Sequence, residues 1–272
     1  MHLYNSNIVY GSFCNITSAI KLFYKLNGFE LLMSDIHVQL LMKAAKRNLS
    51  ASSKPKAPIE VPHLLYIISH ANYKDPQQHA FVAAVLTAFF GCLRRSNTVP
   101  PSASAFNPAK HLTRRAVVFQ HDAIVLTLPW TKTLQDQRDI FTVTIAKSSD
   151  CVIDPVGIIQ TFITTYPAQP LDPAFSYYVD GVRHMLTQSM LDRLLKSNLQ
   201  AMGVPAAAYG SHSLRRGGTT LIYSSNVAPE LIRAHGTWKS MSYTKYIHLS
   251  HKQKKLPTQS MYRSINAMLS NC

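Results

Sequence analysis

One stretch limits the possible folds more than any other. The longest apolar run, Ala80 to Leu93, ends abruptly against Arg94 and Arg95. It is too short to span a bilayer, which takes about 20 residues. Because Gln77–Leu93 is apolar nearly all round, it predicts a buried helix at the centre of a helical core. A chain of 272 residues can build such a core, as one large domain or as a full domain with a smaller companion.

Helical spacing recurs on both sides of this run. It predicts helices over Ile16–Leu26, Ser34–Leu49 (Ser34 or Asp35 as N-cap), Val61–His70, Val156–Tyr166, Gln188–Met202, Leu214–Ser224, Pro229–Ala234 and Ser242–Leu249. Between them, Ala116–Gln120, Ala123–Trp130 and Ile140–Ala146 carry β-branched residues in partial alternation, with Ile124, Leu126 and Leu128 on one face and Phe141, Val143 and Ile145 on another. The expected fold is mainly α with a small three-stranded antiparallel sheet (α+β). Residues 50–58, SASSKPKAP, read as a polar linker. Before the linker, residues 1–49 resemble the end of a helical domain. After it, 59–249 form the main domain, followed by a tail at 250–272.

The chain has 28 Lys plus Arg against 13 Asp plus Glu, a formal charge of +15. Only 15% of residues are charged while 46% are hydrophobic, so scarce acids produce the imbalance and wholesale disorder is excluded. Such an excess points to a polyanionic partner, with nucleic acid the simplest. No membrane span is expected, and residues 1–17 lack the pattern of a secretory signal. Cys14, Cys92, Cys151 and Cys272 lie far apart without a CxxC pair, which argues against a disulfide framework or a cysteine zinc site. His248 and His251 have no companion third ligand, so neither a metal nor another cofactor is expected.

The chemistry concentrates near the end of the chain. His212 and Arg215 are three apart, so on a helix they can address one anion together. His235, Gly236 and Trp238 follow, then Tyr243 and Tyr246. Arg94 is expected at the end of the central helix and Lys132 at a hairpin tip, both able to reach a cleft. Arginine suits a phosphate because its planar guanidinium binds two oxygens at once and keeps its charge.

Four boxes resemble those of the tyrosine recombinases, or phage integrase family: GCLRRSN (Gly91–Asn97), WTKT (Trp130–Thr133), HSLRRGG (His212–Gly218) and GTWKSMSYTKYI (Gly236–Ile247). They occur in family order at family-like separations and cover Ile59 to about Leu249. The Leu-Arg-x-Ser-Asn wording, the KAPI linker and Trp in place of His look closest to recombinases of eukaryotic mobile elements of the DIRS and Crypton groups. The resemblance implies a catalytic domain of that architecture, preceded by part of a helical core-binding (SAM-like) domain. It also implies a site-specific recombinase or integrase acting on double-stranded DNA without metal, as a homo-tetramer at synapsis, in the nucleus.

By the same resemblance Tyr246 attacks the scissile phosphate, giving a 3′-phosphotyrosyl enzyme and a free 5′-hydroxyl. Arg94 and Arg215 neutralise the non-bridging oxygens, Lys132 protonates the leaving oxygen, and His212 acts in acid/base transfer. Trp238 donates its indole N–H to the phosphate.

Several alternatives stay open. Tyr243 competes with Tyr246, which is preferred for the following Ile247 and for lying eight residues after Trp238. His235 competes with Trp238, and Trp238 also reads as core packing. Arg95 and Arg216 are set aside by box position alone, and Lys147 is a remote competitor of Lys132. The first box ends Ser96-Asn97 where many relatives have Ser-Glu, so a supporting carboxylate is missing there. Gly217-Gly218 reads as close helix packing. The tail, with Met261, Tyr262, Ile265, Met268 and Leu269 as an apolar stripe, reads equally as packing in cis and as exchange between protomers, and HKQKK (His251–Lys255) as a solvated run or a DNA contact. A catalytically inactive or truncated DNA-binding relic and a type IB topoisomerase-like strand transferase are the competing functions. A metal-dependent nuclease ranks far behind, because its acids, such as Asp136, Asp139, Asp150 and Asp154, are scattered.

Overall fold

A computed structural model describes residues 8–29, 33–49, 55–129, 141–148, 150–238 and 240–249, with positions 253, 255, 258, 259, 261 and 262 beyond them. The chain divides into two compact units, Met1–Pro55 and Lys56–Cys272.

The first unit holds α1 (Tyr10–Leu26) and α2 (Ile36–Asn48). The Asp35 side chain caps α2 by accepting from the amides of His37 and Val38 at 2.8 and 3.3 Å. Helix α1 starts six residues before the predicted Ile16, because the mixed residues 10–15 extend it without adding an apolar period.

The second unit is mainly helical with a small sheet, as expected. It begins with α3 (Val61–Ser69) and α4 (Pro76–Phe90), with Asp75 capping α4 and Pro76 in its first turn. Eleven residues of α4, from His79 to Phe89, are buried, so it is the predicted central helix. Its end differs from the expectation: the chain leaves the helix at Gly91, and Cys92 adopts a left-handed φ of 48°. Apolar character carried the reading past the C-cap Gly91 to Leu93, because the left-handed turn itself falls on an apolar residue, Cys92. A one-turn helix, α5 (Arg95–Thr98), follows.

Strands β1 (Val117–Phe119), β2 (Ala123–Leu128) and β3 (Phe141–Ala146) form the antiparallel sheet in the order β1-β2-β3. Register pairs Ile124 with Ile145, Leu126 with Val143 and Leu128 with Phe141, so the two apolar rows share one face and turn it to the core. Next comes α6 (Pro155–Thr165), then a hairpin that the sequence reading missed, β4 (Ser176–Val179) and β5 (Val182–Met185). It turns at Asp180 and Gly181, both at positive φ, a pairing that signals a hairpin on its own.

Helices α7 (Gln188–Ala201), α8 (His212–Ser224) and α9 (Pro229–His235) complete the unit. The last predicted helix is instead a 3-10 turn, Met241–Tyr246, after which Ile247 is extended. The main core joins α3, α4, the sheet, α6 and α7; a satellite core gathers Cys92, Ile232, Trp238 and Tyr243.

Helix α8 packs on α4 at backbone distance. A Cβ on Gly217 would lie 2.0 Å from the Ile59 carbonyl oxygen, and one on Gly218 2.0 Å from that of Phe89. The glycine pair is therefore a close-packing device, as read from sequence. No described helix is long and apolar enough to cross a membrane.

Candidate active site

Arg215, in the first turn of α8, is the largest fully buried side chain, 1% exposed. It donates Nη1 to the Cys92 carbonyl and Nη2 to the Gly236 carbonyl at 2.9 Å. It therefore ties the turn after α4 to the turn after α9. Its guanidinium lies 4.0 Å over the Trp238 ring and 5.1 Å from the Tyr246 ring. Burial pulls its pKa down to about 10, and the neighbouring Arg94 pulls the same way while Tyr246 and Cys92 oppose. At neutral pH it keeps its charge. Cys92 beside it is pushed up to about 11 by burial, so it stays a neutral thiol.

Arg94 is not at the end of the central helix, as expected, but past the Gly91-Cys92 turn at the N-cap of α5. Its Nη1 is buried without a hydrogen-bond partner. The Nε of Arg215 and the Nε1 of Trp238, whose ring lies under that guanidinium, are in the same condition, as are Arg216 Nε and, outside this group, Arg114 Nε and His79 Nδ1. The atoms of the group are all donors, and an N–H buried without an acceptor costs about 1–3 kcal/mol. Such a cluster is complementary to an anion rich in acceptor oxygens.

One of the doublet neighbours is set apart by its contact. Arg95 is engaged by Asp192 of α7 at 2.5 Å. His212 occupies the first helical position of α8 and is exposed. Desolvation lowers its pKa, as do the charges of Arg95, Arg215 and Arg94, while Asp192 raises it. The imidazole is thus held neutral more readily than a free one, which suits it to accept a proton.

His235 ends α9 and donates Nε2 to the Phe90 carbonyl at 2.7 Å, which closes the end of α4. Trp238 is 5% exposed with its indole N–H unpartnered. Of the roles weighed for Trp238, packing is present, and the indole N–H is left without a partner. In the 3-10 turn, where side chains three apart eclipse, Tyr243 and Tyr246 both approach Trp238, at 5.9 and 5.7 Å between ring centroids. They differ in access, since Tyr243 is 2% exposed whereas Tyr246 is half-buried. The Thr220 hydroxyl donates to the Tyr246 carbonyl at 3.3 Å and accepts from the His248 amide at 3.1 Å, fastening this segment to α8.

The structure thus gathers Arg94, His212, Arg215, Trp238 and Tyr246. Lys132 and Trp130 lie outside the described residues, as do Ile265, Met268 and Leu269 of the tail stripe; Met261 and Tyr262 are exposed. Sequence reasoning missed Asp192 and Thr220, neither of which carries a local motif.

No protein-family model and no curated protein matches the chain. Solved structures do. The XerH site-specific recombinase in a post-cleavage complex with palindromic difH substrate superposes with a TM-score of 0.55 at 14% identity, over 78% of this chain and 55% of that one. The chain therefore spans about half the length of that recombinase. Residues 82–397 of the Tn1549 transposon integrase, in complex with circular intermediate DNA, give 0.55 at 13% identity over 92% of this chain and 79% of theirs. XerA recombinase gives 0.51 at 14%, over 89% and 73%. The fold is that of the tyrosine recombinase catalytic domain. At these identities the likeness speaks for the fold alone.

Proposed function

We propose that the chain is a site-specific DNA recombinase or integrase of the tyrosine type, which cleaves and rejoins strands through a 3′-phosphotyrosyl intermediate without metal. The observation that carries this reading is the set of buried donors lacking acceptors, on Arg94, Arg215 and Trp238, with the Tyr246 ring beside Arg215. A phosphodiester supplies the missing acceptors, and the cations offset charge as it builds in the pentavalent transition state.

Tyr246 forms the O–P bond while the bond to the 5′ oxygen breaks, and the reverse step rejoins the strand. A tyrosine has an ordinary pKa of about 10, so its proton must be drawn off by the field of Arg215 and Arg94 and accepted by a base such as His212. The leaving 5′ oxygen takes a proton from Lys132, a role carried by the family resemblance. Accessibility favours Tyr246 over the buried Tyr243. The spare indole N–H favours Trp238 over His235, whose Nε2 is already used.

The +15 charge supports double-stranded DNA as partner. Assembly as a homo-tetramer, descent from a DIRS- or Crypton-like eukaryotic mobile element and a nuclear location are part of the proposal, and they rest on the wording of the sequence boxes. The test is incubation with a nicked suicide duplex in chelating buffer followed by denaturing electrophoresis. A covalent band lost in Tyr246→Phe and kept in Tyr243→Phe is expected. Retention of the band in Tyr246→Phe refutes the nucleophile, and salt-sensitive DNA binding with no band on any substrate favours the inactive relic.

A further inference from the structure

We propose that Asp192 is a positioning residue of this site, a carboxylate on α7 that aligns its two cation-bearing segments where position 97 of the first box is Asn. The inference rests on the strand-transfer reading above. Its geometry is a division of labour between two oxygens. Oδ2 accepts from Arg95 Nη1 at 2.5 Å, and Oδ1 accepts from the Ser211 amide at 3.0 Å. Arg95 adjoins Arg94, and Ser211 immediately precedes His212 at the head of α8. One side chain therefore sets the Arg94 segment against the helix that carries His212 and Arg215.

Two further observations agree. Helix α8 has no side-chain cap of its own, since the Ser211 hydroxyl makes no capping bond. Asp192 serves as that cap from another helix and brings a negative charge to the positive end of the dipole. One turn earlier on α7, Gln188 fastens the same helix to the far side of the Arg94 segment: its amide donates to the Pro100 carbonyl at 2.9 Å and its side chain to the Val99 carbonyl at 3.1 Å. Asp192 thus stands on an element already registered to the first box.

Two consequences follow. Arg95, held by Asp192, is withdrawn from competition with Arg94 for the phosphate. His212, facing Arg94, Arg95 and Arg215, feels Asp192 as the opposing charge. The pair is partly exposed, 37% for the Arg95 side chain and 25% for Asp192, so it contributes little to folding as such.

The test compares Asp192→Asn and Asp192→Glu with the unaltered chain in three measurements. At saturating nicked duplex, the single-turnover rate of covalent adduct formation should fall about 10- to 100-fold in Asp192→Asn and recover to within about threefold in Asp192→Glu. DNA affinity should hold or tighten in Asp192→Asn, with the slope of log K against log salt steeper by about 0.9, because a freed Arg95 gains a phosphate. The His212 ring proton, followed by NMR in the free protein, should titrate at lower pH in Asp192→Asn.

An adduct rate within twofold of the unaltered chain, or a loss of rate that only parallels lost folding and binding, overturns the proposal. If the unaltered chain forms no adduct, the strand-transfer reading falls by itself. The His212 titration and the salt slope then decide the Asp192 alignment, which is overturned if both stay unchanged.

Discussion

Among the described residues of the second unit two arginines are buried, and they are buried differently. Arg114, 7% exposed, donates to the carbonyls of Ile163, Tyr166 and Ser176 and lies 4.9 Å from the Phe162 ring, with the charge of Asp172 nearby. Arg215, 1% exposed, has two carbonyls and the Trp238 ring, and its charged neighbour is another cation, Arg94. Burial lowers both to about 10. The first is a strut that closes the end of α6 through three carbonyls with an acid nearby, one donor, Nε, being left over. The second also keeps one unpartnered Nε, but its charged neighbour is a cation, so its positive charge is left uncompensated in the interior, an arrangement that a fold bears when something anionic is to occupy it. Burial alone does not separate the two arginines; the charge of their neighbours does.

The sharpest way to break this comparison is to remove the strut. Arg114→Ala strands three carbonyls while Asp172 keeps its ion pair with Arg183, so urea denaturation should show a loss of about 3–5 kcal/mol. On the other side, Arg94→Gln should slow covalent adduct formation by about 10²–10³ while the melting temperature at low salt stays equal or rises, because repulsion at Arg215 is relieved. A fall in melting temperature comparable to that of Arg114→Ala would make Arg94 a second strut. Trp238→Phe keeps a ring over Arg215 and deletes one donor; a drop of about tenfold in adduct rate, or 1.4 kcal/mol, is expected. Inorganic phosphate should raise stability by about 1.4 kcal/mol at ten times its Kd, an effect absent in Arg94→Gln and preserved when the Asp172–Arg183 ion pair is cut by Arg183→Gln.

The smallest effect tests the Arg114 side. His79 is buried against Phe162, the ring that faces Arg114, at 5.4 Å between centroids, and burial holds its pKa below the ordinary value. The unfolded chain therefore takes up the proton first. Stability should be full above about pH 6.5 and fall as pH drops toward the folded-state value. His79→Leu should flatten that slope in melting curves recorded across the range.

The elements with strong periods were legible in the sequence: the central helix from its apolar run and the three strands from their alternation. Boundaries failed where a single residue turned the chain, as at Cys92, where the left-handed turn falls on an apolar residue. The β4–β5 hairpin was overlooked although Asp180-Gly181 marks such a turn, because its outer face alternates weakly. At the site, closeness in the sequence grouped His212, Arg215, His235, Trp238, Tyr243 and Tyr246, and the resemblance of the boxes singled out Trp238 and Tyr246 among them. Asp192 and Thr220 stayed invisible because each acts through one oxygen on backbone or side chains distant in sequence. Only the packing of α7 and α8 brings them to their targets.

The meeting of α4 and α8 at Gly217 and Gly218 carries a consequence for how this protein can vary. Side chains in a core yield by changing rotamer, but main-chain carbonyls do not, and here the Phe89 carbonyl of α4 sets the gap at Gly218 while that of Ile59, ahead of α3, bounds Gly217. Repacking among α4's other neighbours should therefore leave the spacing between the Arg94 turn and Arg215 intact. Sequences that share little else can hold that one dimension constant, provided these two positions carry no side chain.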